Sequence, residues 1–141
     1  SFIEERIALL ENSILKSHKI ELYLEEVTIA IDPLGFESIL INLIENTKKY
    51  SESNSTIKIH LSQKTEGALF QITDEGIGIP KEKRELVFSK FYREENEMTR
   101  KSKGTGLGLY ITKFLVEQHN GRIELKGNKP QGLIVAIEFK K

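Results

Sequence analysis

Two asparagines one helical turn apart, an aspartate ahead of a glycine pair, and three alternating glycines are the chemically suggestive features of this chain. When residues 34 to 50 are wound at helical pitch, Ser38, Asn42, Glu45, Asn46 and Lys49 fall on one arc of about 100°, opposite Phe36, Leu40, Leu43 and Tyr50. A solvated face would also be polar, but Glu, Lys or Gln would serve it better than Asn, a mediocre helix former. Asn42 and Asn46 are therefore candidate oxygen ligands for a hard cation, and Lys49 is placed to meet phosphate charge. The second feature, Asp74-Glu75-Gly76-Ile77-Gly78-Ile79-Pro80, follows the apolar stretch ALFQIT. A carboxylate at the end of a buried strand is costly unless it accepts hydrogen bonds, and the glycines would let a flat ligand approach the backbone. A β-turn capped by Asp74 is the alternative reading. The third, Lys103-Gly104-Thr105-Gly106-Leu107-Gly108-Leu109, opens a helix, where free N–H groups and the helix dipole both favour an anion such as phosphate. It fits neither the P-loop pattern nor the dinucleotide fingerprint, which belongs in the first β–α turn of a parallel unit. Five of the ten glycines fall in these two motifs, which points to close backbone approach rather than ordinary loop making.

The elements that must hold these residues can be read from periodicity. Residues 2 to 16 carry Ile3, Ile7, Leu10 and Ile14 at helical spacing, and residues 19 to 31 alternate as half-buried strands. Asp32-Pro33 is a helix-start signal for the Asn-bearing helix, which ends in the polar cluster SESNS. Strands are expected over 56 to 62 and 68 to 73, joined by a turn around Gly67, then a charged stretch from 81 to 103. A last helix over 107 to 119 has Leu107, Ile111, Phe114 and Leu115 on one side and stops at Asn120-Gly121. Two final strands, 122 to 126 and 133 to 139, flank a GNKPQG turn. This order predicts an α+β fold, helices packed on one face of a mostly antiparallel sheet.

With 141 residues the chain suits one domain, 1 to 141. Lys+Arg and Asp+Glu number 21 each, and that balance argues against a nucleic-acid binder. The longest apolar run is five residues, Leu133 to Ile137, so no direct membrane contact is expected. Absence of cysteine rules out disulfides and thiolate chemistry and is compatible with a cytoplasmic setting. A start at Ser1 without basic or apolar leader regions reads as a segment of a larger protein.

Taken together the motifs resemble those of the sensor histidine kinase catalytic domain. Asn42 to Ser51 looks like its N box, Asp74 to Gly78 its first glycine box, Phe88 to Arg93 its F box, and Gly104 to Gly108 its second glycine box, in the right order and spacing. The resemblance covers essentially the whole chain, with residues 1 to 17 able to include the connection from a separate dimerisation domain. It implies the Bergerat fold: a two-layer α/β sandwich with a mixed, mostly antiparallel five-stranded sheet, three helices on one face and an ATP lid. It also implies ATP and Mg²⁺ as ligands. Asp74 would accept from the adenine amine, Asn46, with Asn42 near it, would bind Mg²⁺, and Lys49 and Arg93 would contact phosphates. Tyr50, Gly76, Gly78, Ile79, Gly104, Thr105, Gly106, Leu107 and Gly108 would complete the nucleotide site. The expected partners are ATP, a histidine phosphoacceptor and dimerisation domain of the same parent protein, and a response regulator. The parent is expected to be a homodimer and this segment a monomer.

Hydrolytic branches of the superfamily carry a Glu four residues before the metal-binding Asn, as general base on water. This chain has Asn42 there, and an amide cannot accept that proton, so the γ-phosphoryl should await another nucleophile. His18, His60 and His119 sit in structural contexts rather than acceptor ones. A serine kinase and anti-sigma factor of the same superfamily is disfavoured by Asn42, and a nucleotide-blind docking module by the presence of every key motif residue. The chain departs from the family pattern at Thr47, where Ala is usual, and at Gly132-Leu133, where Gly-Thr or Gly-Ser often lies beside adenine. The lid, 88 to 103, has a net charge of +2, from Lys90, Arg93, Arg100, Lys101 and Lys103 against Glu94, Glu95 and Glu97, which suits ordering on a triphosphate.

Overall fold

The computed structural model describes residue 5 and residues 19–27, 31–51, 55–88, 108–128 and 131–140. Five strands make one sheet: β1 (Lys19–Leu24), β2 (Thr56–Lys64), β3 (Gly67–Thr73), β4 (Gly121–Gly127) and β5 (Leu133–Lys140). Their spatial order is β1-β2-β3-β5-β4. β1 lies parallel to β2, and the other three pairings are antiparallel. Two helices are described, α1 (Pro33–Tyr50) and α2 (Gly108–Gln118), with short 3₁₀ turns at Lys81–Lys83 and Leu86–Phe88. This is the mixed, mostly antiparallel α+β arrangement that the sequence predicts. The helix expected over 2 to 16 lies outside the described residues except at Glu5, as does the lid beyond Phe88.

α1 is the crossover that joins the parallel pair, so its placement is fixed by both strands. It starts where Asp32 Oδ1 accepts from the Leu34 N–H at 3.3 Å, with Pro33 in the first turn where no N–H is needed. Phe36, Ile39, Leu40, Leu43 and Ile44 form its buried stripe, which meets Ile57 and Ile59 of β2 and Phe70 and Ile72 of β3 in one core. Val135, Ile137 and Phe139 of β5 and Ile123 and Leu125 of β4 complete the sheet side of that core. Phe36 sits edge-on to Phe70, with centroids 5.7 Å apart, and also packs against Phe139. With its apolar stripe held in this way, the helix turns Asn42 and Asn46 away from the core, and both are half-buried.

α2 differs from its sequence reading. Of the apolar side expected there, Ile111 and Phe114 are 40% and 54% exposed, while Leu107 lies outside the described residues. The buried side is formed by Thr112 and Val116, with Leu109 and Leu115 packed against the core. The helix is apolar on both flanks, so periodicity could not choose between them; packing against α1 and β4 does. Asn120 takes the left-handed conformation, φ 59°, that ends the helix ahead of Gly121, as the Asn-Gly pair predicts. The second half of the alternation expected over 19 to 31 is not a described strand: Glu25 to Val27 are irregular, and residues 28–30 lie outside the described set.

Candidate functional site: a buried carboxylate and an asparagine-bearing helix

Asp74 follows the last residue of β3 and is only 4% exposed. Its N–H donates to the Leu133 carbonyl at 3.0 Å, which carries the β3–β5 pairing beyond the end of the strand. Its Oδ1 accepts from the N–H groups of Gly76, at 2.8 Å, and Leu133, at 3.2 Å. Its carbonyl accepts from Asn128 Nδ2 at 2.8 Å. Oδ2 has no hydrogen-bond partner among the described residues and is not sealed from solvent. One oxygen is thus locked by backbone, and the other is left as an acceptor for something the described residues do not supply. Burial pushes the carboxyl pKa above its ordinary value; the Gly76 and Leu133 N–H groups pull it back, and the neighbouring Glu75 charge raises it further.

Of the motif's glycines, Gly78 lies against the chain itself. Gly78 has φ +71°, and a Cβ there would stand 2.9 Å from the Gly132 carbonyl oxygen. Gly132 has φ +115°, and its Cβ would fall 2.0 Å from the Asp74 carbonyl oxygen, so no side chain can occupy that position. The β4–β5 turn and the Asp74 loop are therefore in backbone contact. Gln131 Nε2 adds a bond of 2.9 Å to the Glu75 carbonyl, and Glu75 Oε1 accepts from the Thr56 N–H at 3.3 Å. Beyond the loop, Ile79 packs against the core while its carbonyl accepts from Arg84 Nε at 3.0 Å. Phe88 is buried, with Lys113 Nζ of α2 5.2 Å from its ring centroid, which ties the base of the lid segment to α2.

Neither the Asn42 nor the Asn46 side chain hydrogen-bonds another described residue, although both are half-buried on α1. Two unengaged amide oxygens a turn apart suit a hard divalent cation that draws its remaining ligands from phosphate and water. Among the described residues no cluster of three His, Cys, Asp or Glu offers an all-protein metal site. Helix α1 closes where Ser51 Oγ donates to the Thr47 carbonyl, with both residues buried. Lys49 and Tyr50 lie in the last turn of α1, and their side chains are outside the described ones. Arg93, Gly104, Thr105, Gly106 and Leu107 also lie outside the described residues; Gly108 opens α2.

The structure therefore gathers Asp74, Gly76 and Gly78 in one loop and sets Asn42 and Asn46 on one helix. It adds Asn128 and Gln131, which sequence reasoning missed. The GNKPQG turn gave the only signal for them, and nothing in it shows that its amides reach back to residues 74 and 75. Of the histidines, His60 stacks on Tyr23 with centroids 4.7 Å apart, and His119 Nδ1 lies 2.8 Å from the Leu115 carbonyl. His18 is outside the described residues.

Residues 31–141 match the family of histidine kinase-, DNA gyrase B- and HSP90-like ATPases. The chain belongs to that ATPase family. It is thus an ATP-binding domain, and its relatives within the family are sensor histidine kinases. It is 40% identical over 101 residues to the circadian input-output histidine kinase CikA of Synechococcus elongatus, a match covering 72% of this chain and 13% of that protein. Over 122 residues it is 35% identical to the signal transduction histidine-protein kinase ArlS of Staphylococcus haemolyticus, covering 86% of this chain and 27% of the relative. The chain thus spans a small part of the curated relatives it matches. Among solved structures, the mycobacterial sensor histidine kinase MprB aligns with a TM-score of 0.85 at 26% identity, covering 99% of this chain and 91% of that one. The catalytic domain of histidine kinase ThkA gives the same TM-score at 27% identity, covering 99% and 92%. Among the described residues of this ATPase-family chain, no helix is long and apolar enough to cross a membrane.

Proposed function

We propose that this chain, residues 1 to 141, is the ATP-binding half of a two-component sensor histidine kinase that presents the γ-phosphoryl of ATP to a histidine carried on a separate domain. The observation that carries this reading is the buried Asp74 with Oδ1 locked by two N–H groups and Oδ2 unengaged among the described residues. An ionised carboxylate oxygen accepts from the 6-amino group of adenine, whereas guanine presents an oxygen there, and two acceptors would face each other. Asn46, with Asn42 beside it, would hold Mg²⁺, and Lys49 and Arg93 would meet the phosphates. A bound Mg²⁺ would supply charge neutralisation at the phosphate oxygens. Positioning is most of what phosphoryl transfer asks of a protein, and the Asn42 amide gives water no general base. The same reading places the chain in the cytoplasm, in a homodimeric parent that signals to a response regulator, with the segment itself monomeric.

The test is calorimetric titration of the chain with a non-hydrolysable ATP analogue, with and without Mg²⁺, alongside Asn46→Ala. Binding that depends on Mg²⁺ and loses that dependence in the variant is the expected result. No binding by the wild-type chain in either condition would overturn the reading in favour of a docking module.

A further inference from the structure

We propose that Asn128 is a positioning residue for adenine recognition, acting through the main chain of Asp74; this rests on the nucleotide reading above. Asn128 lies just past β4 and is half-buried. Its side-chain Nδ2 reaches across 54 residues of sequence to the Asp74 carbonyl at 2.8 Å, and its own N–H donates to the Gly132 carbonyl at 3.1 Å. The first bond fixes the peptide that leaves Asp74, and the second closes the turn that brings Gly132 against that same peptide. Leu133, the next residue, holds Oδ1 through its N–H and receives the Asp74 N–H on its carbonyl. Every polar atom of Asp74 except Oδ2 is thereby engaged, by Gly76 within its own loop and by Asn128 and Leu133 at the two ends of one turn. The direction of Oδ2 follows from the orientation of the backbone behind it. Gly132 can hold the contact but cannot donate a hydrogen bond from a side chain, so the Asn128 amide is what satisfies the Asp74 carbonyl. Without it that partly buried carbonyl loses its donor, the peptide gains freedom to rotate, and the carboxylate loses its aim.

A residue that aims an acceptor at one ligand group affects only ligands bearing that group. The chain and Asn128→Ala are titrated with Mg-ATP and with purine riboside 5′-triphosphate, which carries hydrogen in place of the 6-amino group. The expected result is a wild type that prefers ATP, and a variant that loses about five- to tenfold in ATP affinity while its affinity for the deamino analogue stays within about twofold. Equal losses for both ligands would assign Asn128 to the fold alone and overturn the proposal, as would an unchanged ATP affinity. A wild type that binds both ligands equally would remove the pairing of Asp74 with the amine, and the proposal with it. One that binds neither would remove the nucleotide reading itself. Should Asn128→Ala lose its cooperative melt, Asn128→Ser takes its place, because its hydroxyl is too short to reach the Asp74 carbonyl and polarity at the turn is kept.

Discussion

Burial of Asp74 disfavours its charged form by more than the Gly76 and Leu133 N–H groups favour it. Its folded pKa is raised from 3.8 chiefly by burial. Between 3.8 and the raised value the folded state binds more protons than the unfolded chain, so its contribution to stability falls as pH rises and is at its least favourable above the folded pKa. Asp74→Asn, which keeps an oxygen for the Gly76 and Leu133 N–H groups, should therefore raise the melting temperature of the ligand-free protein at neutral pH. The same change should weaken ATP binding by about 1.5–3 kcal/mol, since an amide nitrogen can replace the acceptor. Melting curves with and without ATP read both effects, and a variant that melts lower without ligand would contradict the burial cost. In the unmutated chain, ATP affinity should fall as pH is lowered through the raised Asp74 pKa, because the protonated acid stops accepting. Asp74, Asn42 and Asn46 were legible in the sequence because each is an odd choice for its setting: an acid after an apolar strand, amides in a helix. Asn128 was not legible, since Asn is ordinary in a turn and its partner is 54 residues away.

Helix α1 was nearly complete in the sequence because its start is chemically marked. Asp32-Pro33 sets the first turn, and a single apolar stripe leaves one face for the core. α2 lacked such a marker, having apolar residues on both flanks, and only its partners decide which are covered. A pair of truncations separates the two cases. Ile44→Ala, fully buried on α1, should cost about 2–5 kcal/mol in denaturant unfolding. Phe114→Ala on α2 removes a larger side chain that is 54% exposed and should cost less than about 1 kcal/mol. A Phe114 cost as large as that of Ile44 would mean that this flank of α2 is packed after all. Strand bounds were legible to within one or two residues where burial alternates, as on β2 and β3. At the sheet edge alternation misled about the end: it runs on to Ile31 in the sequence, whereas β1 ends at Leu24 and Leu22 on it is 36% exposed.

For the molecule as a whole, the absence of a carboxylate at position 42 predicts negligible steady hydrolysis of ATP by this chain alone; rapid phosphate release in a coupled assay would contradict it. The sheet order carries a consequence for time rather than for affinity. β2 with β3, and β4 with β5, are two local antiparallel hairpins, each closed by a short connection, and their strands pair with one another along the β3–β5 seam. Asp74 comes from one hairpin, and Asn128, Gly132 and Leu133 come from the other. Short-range pairings should close first and the seam later, because its loop is the longer one. On the proposed reading Asp74 is aimed only once that seam has closed, so a nucleotide finds no formed site while the hairpins are apart. It should therefore slow unfolding, in proportion to its stabilisation, and leave the refolding rate nearly unchanged. Stopped-flow unfolding and refolding with and without Mg-ATP would separate the two limbs, and faster refolding with ligand would show the seam already formed at the barrier. The nucleotide would then act as a latch on a finished molecule, lengthening its lifetime without guiding its assembly.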